Sequence, residues 1–341
     1  MLEEKKVLKM QWMKTWGLTA ILAVFGFTIN ETLLRAAQHK PSVVSNANLF
    51  CSSYSQVNHL NRKDVLLLGA SRMQTGFDLE AFQQRYPNRN ILQLAQSGRG
   101  TPYPVFKDIV ENTEFNGIAI VSVNEPTLIS KANGQQGFVS HCNHKFSFND
   151  RANRQIATWL QRRFVFLNAS SSSLRLWGNL IVEQELPEPL YTETRPNRAQ
   201  LSDFERAKAK ALKQLHDSRI KGIESSLKQS FPTPKAWLNQ ANHWQPLVRE
   251  FQDRGGTIIF VRMPVSQERW NLEQQKYPPE QYWKEFADEY SQIKGVEFIH
   301  FANYSSLQNY NLPDTSHLDM RDRAEFTNAL LDIIKPQLTK K

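Results

Sequence analysis

The chain has 341 residues, 40% of them apolar and 22% charged, with a formal net charge of +9 and two cysteines. With no low-complexity tract, this composition excludes a disordered chain and fits one large α/β domain with an insertion, or two smaller domains. The positive balance suits an anionic partner surface such as a membrane or an acidic polysaccharide; no C2H2 spacing, RNP-like pattern or basic zipper is present, so no nucleic-acid partner is expected.

The N-terminal stretch "MLEEKKVLKMQWMK" carries four lysines, and the segment after it is uncharged from Thr15 to Asn30. A spanning helix needs roughly 20 residues. Met10 to Leu34 reaches that length by admitting Gln11, Lys14, Asn30 and Glu31. Lys14 can snorkel, and Asn30 and Glu31 can sit at the far interface. Residues 1–35 therefore read as a cytoplasmic tip and a transmembrane anchor. The alternatives are a cleaved signal or an ordinary buried helix. The lysine-rich flank predicts a cytoplasmic N-terminus and a periplasmic or extracellular body. Residues 36–62 are polar and irregular, as in a tether.

From residue 63 to 341 apolar runs alternate with helical segments. Strands are predicted at Asp64–Ser71, Asn90–Gly98, Gly117–Pro126, Gly255–Pro264 and Val296–Tyr304. Their continuous apolar character suits a parallel sheet covered on both faces. Helices are predicted at Phe77–Tyr86, at Tyr103–Asn112 and before Gly255 and Gly256, which stop the third. The last helix puts Phe326, Ala329, Leu330, Ile333 and Ile334 on one face and ends before Pro336. The alternation predicts a doubly wound parallel sheet of about five strands, with its ligand site at the carboxyl ends of the strands. Ser71, Gly98 and Asn124 fall at or just after such ends.

Residues from about 149 to 241 break the rhythm and read as a helical, basic insertion or lid. Five arginines and no acid lie between Arg151 and Arg175. They are either a solvated face or a contact with anionic lipid or polymer, and the nearby Trp159, Phe164 and Phe166 suit a membrane-surface helix. "QELPEPLYTETRPNR" reads as a loop.

The chemistry-bearing pattern is Asp314 and His317 in "LPDTSHLD", just before the last helix. An Asp three residues before a His can hold one imidazole nitrogen and leave the other to accept a proton from a hydroxyl. Serine needs such a base to become a nucleophile. Ser71, on the small-residue turn of "LLLGASR", is the candidate.

With these residues the chain resembles an SGNH (GDSL-type) hydrolase, over roughly residues 64–126 and 255–335. Gly69-Ala70-Ser71-Arg72 corresponds to the family's first block, Gly98 in "LAQSG" to its second, Asn124 in "SVNEP" to its third and Asp314-Thr315-Ser316-His317 to its last. Ala70 stands where the family has Asp, and "VNEP" lacks the usual Gly-x-Asn-Asp form. The resemblance implies a flavodoxin-like sheet and a catalytic Ser71, His317 and Asp314. It also implies an oxyanion hole made by the N–H groups of Ser71 and Gly98 with the Asn124 side chain. With the anchor, the chain also resembles envelope acyl-transfer members of that superfamily, the D-alanine transfer protein of teichoic acids and the alginate O-acetylation proteins. This implies a serine esterase or O-acyltransferase acting on an acylated polysaccharide or lipid of the cell envelope, with a multispanning O-acyltransferase as partner. The other readings are a non-catalytic binding or assembly module and a peripheral lipase.

Arg72 and Arg262, near strand ends, are candidate substrate contacts, with packing or a salt bridge as their ordinary role. "SHCNHKF" offers His141, Cys142 and His144, but no second cluster completes a metal site, so neither metal nor cofactor is expected. Cys51 and Cys142 are a disulfide if the body is exported, or two buried thiols if it is not.

Overall fold

The computed structural model describes residues 2–131, 134–168, 173–186 and 188–339. The side chains of residues 2–10, 173 and 175, which include the lysines at 5, 6 and 9 and the arginine at 175, lie outside the described side chains. The protein is a mixed α/β chain with a five-stranded, all-parallel sheet. Its strands are β1 (Val65–Leu68), β2 (Ile91–Gln93), β3 (Ile118–Ser122), β6 (Thr257–Arg262) and β7 (Val296–His300). A separate antiparallel pair joins β4 (Thr192–Thr194) to β5 (Gln200–Ser202). The large sheet runs β2-β1-β3-β6-β7.

The period-2 alternation of side chains explains why the strand sequences are apolar without a break. Leu66, Leu68, Ala119, Val121, Ile258 and Phe260 face one core, together with the helices Tyr103–Asn112, Gln245–Asp253 and Trp283–Tyr290. Val65, Leu67, Ile118, Ile120, Ile259 and Val261 face the other, covered by Leu79–Arg85 and Arg323–Ile333. Each leucine of β1 is fully buried, so truncating any one to alanine forfeits about 2–5 kcal/mol.

The strands are shorter than their apolar runs. Ser71 opens a helix, Ser71–Gly76, three residues beyond the end of β1, and Glu125 opens Glu125–Leu128 just after β3. A second helix, Leu79–Arg85, begins at Asp78, whose carboxylate accepts the N–H groups of Glu80 and Ala81 at 2.8 and 3.0 Å. Such capping satisfies donors a helix start leaves open. Gly255, at φ +88°, follows the end of Gln245–Asp253, as its sequence predicts. Phe326, Leu330 and Ile334 are fully buried, but the chain continues past Pro336 in a short helix, Lys335–Thr339.

Two compact units emerge: residues 1–44 with 156–190, and residues 45–155 with 191–341. In the first, Gln11–Ala36 of the N-terminal helix is long and apolar enough to cross a membrane. Leu34 packs with Val165 and Leu176, and Phe27 stacks on Phe166 at 5.4 Å. The Glu31 carboxylate accepts the N–H groups of Val165 and Phe166 at 2.9 and 3.2 Å. In the second unit, Cys51 and Cys142 form a disulfide between the helices Ala47–Tyr54 and Gly134–His144. Part of the stretch read as a loop is β4, and "HDSRIKG" lies in a 19-residue helix, Ala209–Leu227.

Candidate active site

Gly69 makes the turn that presents Ser71. Its φ is +147°, and a Cβ there would lie 2.9 Å from Cβ of Ser122 and 3.0 Å from Cβ of Met73. Only glycine lets the end of β1 approach β3 this closely. The N–H of Ser71, at the first helical position, has no acceptor among the described residues.

The loop after β2 is pinned from several sides. Gln96 N–H donates to the Gly69 carbonyl at 3.1 Å, and Ser97 N–H to Gln74 Oε1 at 2.7 Å. The buried Arg198 guanidinium donates to the Ala95 carbonyl at 2.8 Å and to Gln96 Oε1 at 2.7 Å. Burial lowers the pKa of Arg198 to about 9. Gly98 follows in the left-handed region at φ +70°, and its N–H is likewise without an acceptor among the described residues. Asn124 caps Glu125–Leu128: its side-chain oxygen accepts the Thr127 N–H at 3.0 Å, while Thr127 Oγ1 accepts the Asn124 N–H at 2.8 Å. This arrangement uses the oxygen of the amide and leaves its Nδ2 as the available donor.

After β7 the chain forms the turn Asp314-Thr315-Ser316-His317. Thr315 has φ +73° and is fully buried, a costly conformation for a β-branched residue and one held by its surroundings. Its carbonyl accepts the Ser266 N–H at 3.0 Å. Asp314, 1% exposed, accepts the N–H groups of Ser316 and His317 at 3.1 and 2.9 Å through Oδ1. Its Oδ2 lies 2.6 Å from His317 Nδ1 and 2.8 Å from an Arg219 nitrogen. Burial pushes the Asp314 carboxyl up, but the hydrogen bond and charge of His317, the Arg219 charge and the backbone donors outweigh it and bring it to about 2. A charged Asp314 favours the tautomer with the proton on Nδ1. Nε2 of His317 is buried and has no hydrogen-bond partner among the described residues.

Ser71, Gly98, Asn124 and His317 line one cavity of about 420 Å³ in the second unit, at the carboxyl ends of the parallel strands. Arg72, Arg99, Arg219 and Arg269 line it as well. Of the sequence-predicted site residues, Asp314 lies behind His317. Arg262 does not line the cavity: it is 1% exposed, 3.4 Å from Glu125 Oε2 and hydrogen-bonded to Glu273, which is its ordinary structural role. Arg219 and Arg269 were not legible as site residues. Arg219 sits in a basic helical run that reads as a solvated face, and the contact with Asp314 joins residues 95 apart. Elsewhere, Cys142 is in the disulfide and His141 Nε2 lies 2.6 Å from Asn48 Oδ1.

This geometry can do acyl chemistry. Ser71, Gly98 and His317 line one cavity and Asp314 backs it; among the described residues, His317 Nε2 and the N–H groups of Ser71 and Gly98 have no partner.

No protein-family model matches the chain, and no curated protein does. Among solved structures, a protein from Streptococcus pneumonia named for platelet activating factor aligns over 93% of this chain and 99% of its own, at 11% identity and a TM-score of 0.34. At that score the two chains share too little geometry for the match to bear on fold or function.

Proposed function

We propose that the protein is an SGNH-type serine esterase or O-acyltransferase that acts on an acyl ester of a cell-envelope molecule, a polysaccharide being the favoured acceptor. The observation that carries this reading is the Asp314–His317 pair: His317 lines the same cavity as Ser71, and its Nε2 has no hydrogen-bond partner among the described residues. The strand order, β2-β1-β3-β6-β7, is that of flavodoxin-like doubly wound folds and supports the SGNH type. Ser71 Oγ attacks the ester carbonyl carbon as its proton passes to His317 Nε2. The carbonyl oxygen, now negative, takes hydrogen bonds from the N–H groups of Ser71 and Gly98 and from the Asn124 amide. The ester C–O bond then breaks, and the leaving alcohol takes the proton from His317. Water or a sugar hydroxyl resolves the acyl-serine by the same steps in reverse.

The cavity is lined mainly by polar residues and glycines, with Val123 and Ile223 among its few apolar residues. The preference for an acyl-polysaccharide enzyme over a lipase rests on the resemblance to envelope acyl-transfer proteins. The N-terminal helix, with Trp12, Trp16, Ile21, Leu22 and Phe25 exposed, supports a single-pass anchor, and the lysine-rich sequence before it supports a cytoplasmic N-terminus and an exported body. Exposed Leu174, Trp177, Ile181 and Val182 in the same unit support contact with lipid. A multispanning O-acyltransferase partner rests on the resemblance to envelope acyl-transfer proteins.

The test is fluorophosphonate labelling of the full-length chain in detergent. Labelling is expected at Ser71, absent from Ser71→Ala and slowed by about 10³-fold or more in His317→Ala. Labelling that persists in Ser71→Ala, or a folded wild type that does not react, overturns the reading.

A further inference from the structure

The cavity wall is unusually cationic. Arg72, Arg99, Arg219 and Arg269 line it, and no aspartate or glutamate among the described residues does. Arg219 is matched by Asp314 at 2.8 Å. Behind Arg72 and Arg269 the accounting differs. Among the described residues, Arg72, Arg262 and Arg269 share the two carboxylates of Glu125 and Glu273. Arg262 lies 3.4 Å from Glu125 and is hydrogen-bonded to Glu273, and Arg269 Nε donates to Glu273 Oε1 at 2.7 Å. Arg72 comes last. Its NH2 is 3.8 Å from Glu273 Oε1, and it makes no hydrogen bond among the described residues. Three guanidinium groups face two carboxylates, and the one left over is mostly buried, its side chain 13% exposed. Burial first, then Arg269 and Arg262, lowers the pKa of Arg72, while Glu273 is held at about 2: burial raises it, but Arg262, Arg72 and Arg269 outweigh that.

A buried, uncompensated charge is costly, and removing its counter-charge from a site is strongly destabilising. A guanidinium fork is shaped for a carboxylate or a phosphate and binds either through paired, charge-assisted hydrogen bonds. Arg72 is the residue next to Ser71 in the chain, so an anion bound to it lies within one substrate unit of the reacting ester. We propose that the ester handled at Ser71 carries a negatively charged group, a carboxylate or phosphate, and that Arg72, assisted by Arg269, holds it as the missing counter-charge of the cluster. This inference rests on the esterase reading and names the substrate class of the same site. The anion can belong to the acyl group or to the sugar that bears it.

The experiment uses the full-length chain in detergent and two matched ester pairs. One pair is 4-nitrophenyl acetate and mono-4-nitrophenyl succinate, in which the acyl group gains a carboxylate. The other is an O-acetylated methyl glucoside and the corresponding glucuronide, in which the sugar gains one. The anionic member of at least one pair is expected to be turned over with kcat/KM about 10- to 100-fold above its neutral partner. That ratio should fall about tenfold in Arg72→Gln and in Arg269→Gln and be partly kept in Arg72→Lys. The pair that responds tells which side bears the charge. Equal turnover within both pairs, or a preference that survives in both glutamine variants with circular dichroism unchanged, overturns the proposal. If wild type turns over none of the four esters, the esterase reading falls by itself, and inorganic phosphate decides the rest by calorimetry. Binding in the millimolar range or tighter, lost in Arg72→Gln, supports an anion site; no binding overturns it.

Discussion

At the scale of single residues, the Asp314 carboxylate does two things. It orients His317, and it stores stability that depends on pH. Its folded-state pKa of about 2 lies below the ordinary value of 3.8. A carboxyl depressed in this way contributes stability that is complete above the unfolded value and is lost as pH falls toward the folded one, on the order of 2 kcal/mol here. In urea titrations, the stability of wild type relative to Asp314→Asn should therefore be constant from pH 7 to about 5 and shrink between about pH 4 and pH 2. A difference that stays constant down to pH 2.5 would show that Asp314 gains nothing from its partners. At neutral pH the same variant should keep its fold and lose up to about 10⁴-fold in kcat, because Asn does not enforce the tautomer. Ser71, Asp314 and His317 were legible in sequence because each belongs to a short motif at a chain-defined place, a strand end or the lead into a helix. Arg219 and Arg269 were not, since an arginine's partner across the fold leaves no trace in its neighbours along the chain.

Elements position those residues through the turns at their ends as well as through side-chain contacts. The turn from β1 into Ser71–Gly76 depends on Gly69, whose missing Cβ is the space that Ser122 and Met73 occupy. Gly69→Ala should cost about 1–3 kcal/mol from strain and overlap. It should also slow fluorophosphonate labelling, because relief of the clash moves Ser71. Both are read on one preparation, by the urea midpoint and by the labelling rate. An unchanged midpoint would mean that the turn is more forgiving than its geometry. The apolar runs identified the five sheet strands but overstated their length, as hydrophobic patterning reports burial and not where hydrogen-bond ladders end. The β4–β5 pair carries no such mark, because its strands are short and mostly polar, TET and QLS, and so show no apolar run.

For the whole molecule, the disulfide and the two units matter most. Cys51 and Cys142 are 91 residues apart. A loop of that length removes about 4–5 kcal/mol of unfolded-state entropy in the chain-entropy picture, and loss of such a bridge typically costs about 2–5 kcal/mol. Denaturation with and without reductant should reveal a difference of that size, and coincident midpoints would mean that the bridge does not constrain the unfolded chain. Disulfides persist in oxidising compartments, so the bridge supports the exported body proposed above. Residues 156–190 group with residues 1–44 and not with the sheet, so a chain truncated before residue 36 would leave Leu176 and Val165 without Leu34. That is the reason for testing the full chain.

The sequence by itself determined the parallel α/β character, the apolar N-terminal helix and the residues of the Ser71, Gly98, Asn124 and Asp314–His317 motifs. These are properties of local composition, period and spacing, which the chain carries wherever it folds. Only the tertiary structure decided that Cys51 meets Cys142, that Arg219 clamps Asp314, that Arg262 is spent on Glu125 and Glu273, and that Arg72 is left over beside Ser71. Each of those outcomes depends on which distant charges and thiols arrive at the same place, and spacing along the chain does not encode distance across the fold.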